Sequence, residues 1–286
     1  MWPDTINPAN GIASSLLVLL LGNVKPCRIV KVCAVNWRRI IATIIDAGNY
    51  CSDTINYSLK PKEVDLFAVL ALLSSSLWEW RFRLTSTNNH VNAYEIDGMP
   101  FPQFSFTTPE TERVTHLTEA KQLYQHGLKD GKPDAVLAFV AEQLAAKPER
   151  ADVVHDLLAF LAEQMTALNR EKRTTTKQFL TDLKDFHDID THTLKPKTKL
   201  DKFWELEAAE VFVHFRANKI RLKESDEENI RARFQKAKDQ LVPLESSLAF
   251  TDDLIDEIVY RLYGLTEAEI KIVSIRGCNS SMVRVA

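Results

Sequence analysis

Residues 74–104 read SSSLWEWRFRLTSTNNHVNAYEIDGMPFPQF, so that an apolar, tryptophan-rich segment runs into a polar turn and then into a proline-bounded segment. Apolar residues at spacings of three and four predict a helix from about Lys62 to Leu84. Such a helix needs no polar sequel for its own stability. The turn at residues 88–92 therefore indicates a surface that contacts a polar ligand, and the segment after it predicts an edge strand shaped by its two prolines.

Upstream of this stretch, the sequence is typical of short strands. Residues 25–60 contain RIVKVCAV, IIATIID and NYCSDTINYSL, which are rich in β-branched and aromatic residues, and Gly48-Asn49 supplies a turn. The segment is also locally basic, because only two acidic residues, Asp46 and Asp53, oppose its six basic residues, namely Lys25, Arg28, Lys31, Arg38, Arg39 and Lys60.

Downstream of it, the pattern from Thr108 to about Val273 is helical almost throughout. Thr108-Pro109-Glu110 is a helix start signal, and capping boxes are predicted at Ser225–Glu228 and Thr266–Glu269. Gly264 predicts the end of a helix over residues 252–263. Lys195-Pro196-Lys197 divides a highly charged middle part into two long helical arms.

These patterns predict an α+β fold, in which a small mixed β-sheet with a packed helix is followed by a mainly α-helical half. The predicted organisation is an atypical N-terminal tail over residues 1–24, a recognition region over 25–108, a helical region over 109–273 and an atypical tail over 274–286. Fewer than three strands are expected between Thr108 and Val273.

Composition and motifs exclude several classes of function. The net charge of −3 gives no global signal for nucleic-acid binding, and the four cysteines form no CxxC, which favours a reduced, cytoplasmic environment. The apolar run Leu16–Leu21 is far shorter than a membrane span. No GxG, HExxH or GxSxG occurs, so we predict no catalytic, cofactor-binding or metal site in this chain.

Three segments in order carry a resemblance to a known family. They are NWRRIIATIIDAGNYCSDTINYSL (36–59), LFAVLALLSSSLWEWRFR (66–83) and VNAYEIDGMPFPQF (91–104). Together they resemble the TaqI-like C-terminal specificity (target-recognition) domain of type II restriction-modification N6-adenine DNA methyltransferases, including the single-chain type IIG enzymes. The segment DDLIDEIVYRLYGLTEAEIKIV (252–273) is similar to the last helix pair of such enzymes.

The resemblance implies a role in recognising double-stranded DNA. Enzymes of this family carry an upstream domain with a Gly-rich loop for S-adenosylmethionine and an Asn-Pro-Pro-Tyr-type motif for the target adenine, and this sequence has neither. We therefore expect a C-terminal fragment that is inactive alone, although the complete enzyme would use S-adenosylmethionine. A missing methyltransferase domain is a possible partner.

The expected DNA-binding residues lie in the basic segment and in the polar turn. Cationic side chains bind phosphates or a guanine edge, and amide side chains have the geometry to pair with adenine edges. The candidates are Lys31, Arg38, Arg39, Asn88, Asn89, His90 and Asn92. Asparagines also serve ordinary turns, so this role of the cluster remains equally open. Two functions remain open as well, because the basic segment favours the first and the near-neutral net charge allows the second. The chain is either a DNA target-recognition module or a helical protein-interaction module with a vestigial specificity domain.

Overall fold

The structure is a computed structural model that describes residues 29–36, 39–45, 56–59, 64–86, 95–96 and 98–281. Only the backbone is described for residues 29–36, 39, 41, 45, 56–59 and 275–281. Two compact units divide the chain: unit 1 comprises residues 1–164 and 251–286, and unit 2 comprises residues 165–250. These boundaries differ from the predicted functional division at residue 108, which stays a prediction.

Strands form a minor part of unit 1. β1 (Ile29–Asn36) lies between β2 (Arg39–Ile45) and β3 (Asn56–Leu59). Both neighbours pair antiparallel with β1, so that Ile29 lies opposite Ile45 on one side and Leu59 on the other.

The predicted α+β class with a mixed sheet is wrong, because the described residues are mainly α-helical and their strand pairing is purely antiparallel. The β-branched runs before residue 60 do form β1, β2 and β3, but these strands are a small part of a described chain that is mostly helix. The prediction also placed an edge strand at Pro100 and Pro102, where the structure has none. A proline cannot donate to a strand ladder, and residues 100–107 form an irregular connection.

The helices of unit 1 come from both ends of the chain. The unit contains α1 (Leu66–Ser74), α2 (Ser76–Thr85), α3 (Glu110–Asp130), α4 (Asp134–Ala145), the first part of α5 (Ala151–His187), the last part of α7 (Glu224–Leu262) and α8 (Glu267–Ser281). No strand occurs between residues 108 and 273, all of which are described, as the helical periodicity predicts.

The single helix predicted from Lys62 to Leu84 is two helices. The Asp65 side chain accepts a hydrogen bond from the Phe67 N–H, so the first helix begins later than predicted. Ser75 ends that helix and caps the next one: its hydroxyl donates to the Leu72 carbonyl at 2.7 Å and accepts from the Trp78 N–H at 3.4 Å. The apolar spacing continues across this break, so periodicity alone does not predict it.

The other start and stop signals had mixed outcomes. α3 begins at Glu110 as predicted, but Thr108 does not cap it, since its N–H and hydroxyl both donate to Asp152. The capping box at Thr266 is confirmed by reciprocal hydrogen bonds with Glu269. The box predicted at Ser225 is wrong, because α7 has already begun at Glu224. Gly264 follows the end of α7 with a positive φ of 65°, which confirms the predicted stop.

Unit 2 is built from one continuous stretch of chain. It holds the last part of α5, three short 3₁₀ turns between residues 191 and 205, α6 (Ala208–Ala217) and the first part of α7. The break predicted at Lys195-Pro196-Lys197 falls among these turns. Its core is rich in aromatic side chains, including Phe179, Phe203, Trp204, Phe212, Phe215 and Phe234.

Across the described residues, none of the helices combines the length and the apolar character that crossing a bilayer requires.

Candidate functional site

The predicted DNA-binding residues fall largely outside the described part of the chain. Lys31 lies in the central strand β1, opposite Thr43 and Tyr57, and Arg39 is the first residue of β2. Only the backbone is described at both positions. The remaining candidates lie outside the described residues, and these are Arg38, Asn88, Asn89, His90 and Asn92.

Glu79 anchors the start of β2, where the candidate Arg39 lies. The carboxylate of this α2 residue accepts a hydrogen bond from the Ile40 N–H at 2.7 Å and another from Arg83 Nε at 2.7 Å. Ile40 is buried and directly follows Arg39 in β2. The start of β2 is thereby fixed to α2 through one charge-assisted bond, in addition to apolar packing.

The segments that carry the family resemblance meet in unit 1. Ser76, at the start of α2, donates both its N–H and its hydroxyl to Asp256 of α7, at 2.7 and 2.5 Å. The two residues are 180 positions apart in sequence. Asp256 therefore satisfies an N–H at the first turn of a helix, where a carboxylate also interacts favourably with the helix dipole.

A second bridge links the same helices to the proline-bounded segment. The Tyr263 hydroxyl accepts from Trp78 Nε1 at 2.9 Å and donates to the Pro100 carbonyl at 2.6 Å. Burial raises the pKa of Tyr263 and outweighs the opposing effect of the Trp78 hydrogen bond. The phenol therefore stays protonated and keeps its donor. Phe101 packs edge-on against Trp78, with ring centroids 6.1 Å apart.

A separate polar network connects α1, α3 and α5. His155, 2% exposed, accepts from the Asp65 N–H through Nε2 at 2.9 Å, so its Nδ1 carries the proton that it shares with Asp156 at 2.9 Å. Arg113 makes a bidentate pair with the same carboxylate, at 2.8 and 2.6 Å, and lies over the Phe106 ring. Both ring nitrogens of His155 are therefore hydrogen-bonded within the unit.

The network also sets the charge state of its carboxylate. Desolvation raises the pKa of Asp156, but hydrogen bonds from His155 and Arg113 outweigh it and hold the pKa below its ordinary value. The same Asp156 hydrogen bond raises the pKa of Arg113, against a smaller lowering effect of burial. Both groups are charged at neutral pH, which strengthens the pair.

The aromatic residues of α2 contribute to the core, but the polar bridges that connect α2 to distant segments were not predicted from the sequence. Trp78 and Phe82 are buried, at 4% and 0% exposure, whereas Trp80 is half-buried. Neither Asp256 nor Tyr263 received a role, although the segment 252–273 was singled out. Asp256 is a half-buried residue of α7 and Tyr263 directly follows the end of this helix, so no local pattern marked either residue as a partner of α2.

The described residues contain no group of three or more side chains arranged to hold a metal ion. A family model described as a domain of unknown function (DUF8810) matches residues 153–259. No curated protein and no solved structure matches the chain. The matched stretch covers unit 2 together with the adjoining parts of α5 and α7.

Proposed function

We propose that this chain is the DNA sequence-recognition part of an adenine-specific DNA methyltransferase or of a fused restriction-modification enzyme, acting on double-stranded DNA in the cytoplasm. In this proposal, a methyltransferase domain supplies the S-adenosylmethionine site and the chemistry. The chain described here contributes affinity and sequence preference.

The observation that carries the proposal is the meeting of the segments 66–83, 91–104 and 252–273, each of which resembles the family. Ser76 and Trp78 belong to one resembling motif, Pro100 to a second, and Asp256 and Tyr263 to the third. Chance resemblance of scattered short motifs gives no reason for them to form specific hydrogen bonds with each other. Their contacts support the view that the motifs belong to one structural unit.

Charge supports the same proposal. The basic residues of segment 25–60 greatly outnumber its acidic ones, and Arg39 begins a strand whose next N–H is anchored by Glu79. A basic segment on a fixed strand is suited to contact phosphates, which supply most of the salt-dependent affinity in DNA binding. Amide side chains at Asn89 and Asn92 would add sequence preference without adding counterion release.

The experiment is a fluorescence anisotropy titration of the full chain with duplex DNA at two salt concentrations. Changing Arg38→Ala together with Arg39→Ala should weaken binding to every duplex by about 1–3 kcal/mol if one arginine also contacts a guanine. Changing Asn89→Ala with Asn92→Ala should alter the ranking of duplex sequences and leave the salt dependence unchanged.

The matched control removes the same charge elsewhere in unit 1. Lys129 and Lys132 are exposed, and their double change to alanine should leave the affinity nearly unchanged. Equal binding by the double arginine variant and the parent at both salt concentrations would contradict the assigned DNA surface. Absence of any duplex binding at low salt would instead favour the helical protein-interaction module.

A further inference from the structure

Unit 2 carries a basic groove that the predicted DNA surface does not include. The groove encloses about 590 Å³ between the last part of α5 and the 3₁₀ turns that follow it. Five basic side chains line it against two acidic ones, Asp190 and Asp201, and the basic residues are Lys172, Arg173, Lys177, Lys184 and Lys202. The excess of positive charge on these walls favours an anionic ligand.

Not all of these cations are equally available. Lys172 forms an ion pair with Glu245 and lies 5.2 Å over the Trp204 ring, so it serves the unit itself. Lys184 lies 3.5 Å from Asp190, and Lys202 lies 2.7 Å from Glu205. Within the described part of the chain, Arg173 and Lys177 make no such pair, and both are exposed. One helical turn separates them along α5.

Two residues that line the groove carry buried donors that lack acceptors. Trp204 is 5% exposed, and its Nε1 has no hydrogen-bond partner among the described residues. The same holds for the buried hydroxyl of Thr176, which also lines the groove. Most buried polar groups in native proteins are paired, so these two donors leave hydrogen-bonding capacity close to the cations that the described residues do not use. A phosphate oxygen, with several acceptor positions and a negative charge, suits both the donors and the cations.

We propose that this groove of unit 2 binds backbone phosphates of duplex DNA, as a second, sequence-independent contact in addition to the one predicted for unit 1. The choice of duplex DNA rests on the proposed function. The groove offers cations and simple donors, and Trp204 is too deeply buried to present a ring face to a base. It therefore lacks what base readout needs and has what phosphate binding needs.

The test measures how the affinity of the full chain for a mixed-sequence duplex depends on salt. Each lost phosphate contact reduces the slope of log K against log salt by about 0.9, so Arg173→Ala with Lys177→Ala should reduce it by about 1.8. Between 50 and 200 mM salt, the variant should then lose roughly tenfold less affinity than the parent loses. The ranking of duplex sequences should not change.

The control variant is Arg216→Ala with Lys223→Ala, which removes the same two residue types from exposed positions of unit 2 outside the groove. Its slope should match that of the parent. Thermal unfolding by circular dichroism should be the same for both variants, because all four side chains are exposed.

The outcomes separate this inference from the proposed function. An unchanged slope for the groove variant, with a reduced slope for the Arg38 and Arg39 variant, would overturn the groove and leave the proposed function standing. A reduced slope for the groove variant alone would support the groove and contradict the predicted surface in unit 1. Equal slope changes in the groove and control variants would show a diffuse charge effect and overturn the groove. No measurable binding at 50 mM salt would overturn both.

Discussion

Units 1 and 2 bury their cores in different ways. In unit 1, a few polar side chains join segments from opposite ends of the chain, as Asp256 joins Ser76 and Tyr263 joins Trp78. In unit 2, the core is an aromatic cluster drawn from one continuous stretch. Both units bury apolar side chains, but unit 1 adds specific polar pairs that join distant segments, whereas the core of unit 2 is an aromatic cluster from one stretch of chain.

The largest effect is expected in the aromatic core of unit 2. Phe203 is fully buried, with its ring centroid 4.2 Å from that of Phe179 and 5.9 Å from that of Phe234. Phe203→Ala should lower the free energy of unfolding by about 3–5 kcal/mol, because it removes apolar contacts and leaves a cavity. Urea unfolding followed by tryptophan fluorescence and circular dichroism measures this loss.

The matched control is Phe186→Ala, because Phe186 is 63% exposed and packs mainly against Arg233. It should cost less than about 1 kcal/mol. A similar loss in both variants would contradict the contrast between a buried aromatic core and a charged surface in unit 2.

An intermediate effect is expected from the polar network of unit 1. Asp156→Asn removes one charge from the bidentate pair with Arg113 and should lower the free energy of unfolding by about 1.5–3 kcal/mol at neutral pH. Glu142→Gln removes a carboxylate from an exposed position of the same unit and should have no measurable effect.

The pH dependence gives this prediction a second measurement. The folded-state pKa of Asp156 lies below its unfolded value of about 3.9. Its contribution to stability is thus fully present above about pH 4 and is lost as the pH falls through the lower folded-state pKa. The difference in stability between the parent and Asp156→Asn should be constant from pH 5 to 7 and should shrink below about pH 4. A constant difference down to pH 2 would contradict the charge-based explanation.

Helix ends and caps that depend on a few neighbouring residues could be predicted from the sequence more reliably than contacts between distant segments. The helix stop at Gly264 and the capping box at Thr266 each depend on residues within one turn, and both are confirmed. The break at Ser75 was missed because one hydroxyl serves two helix ends while the apolar spacing runs on unchanged. The fold class was wrong although the strand propensity before residue 60 was real, because the helices make up most of the described residues.

The candidate site depended even more on long-range pairing. Nothing within a few residues of Asp256 or Tyr263 indicates that their partners are Ser76, Trp78 and Pro100. Likewise, residues 170–202 contain nine Lys or Arg against six Asp or Glu, and this mild basic excess is as typical of a solvated helix face as of a binding site. Only the folding of the 3₁₀ turns against α5 gathers part of that excess around one groove.

The smallest effect is expected from an exposed ion pair near the end of α7. Arg261 Nη1 donates to Glu257 Oε2 at 2.8 Å and to the Glu257 carbonyl at 3.1 Å, and both side chains are more than one-third exposed. Solvent screens such a pair, so Arg261→Ala should lower the free energy of unfolding by only about 0.3–0.5 kcal/mol. Loss of a cation near the helix C-terminus adds a few tenths of a kcal/mol. The difference in urea midpoint between the parent and the variant should be small in low salt and should vanish in 0.5 M NaCl, at roughly three times physiological ionic strength. A loss of more than about 1.5 kcal/mol that persists in high salt would contradict this prediction. It would show that an exposed pair of unit 1 stabilises the fold as much as the more buried pair of Asp156 with Arg113.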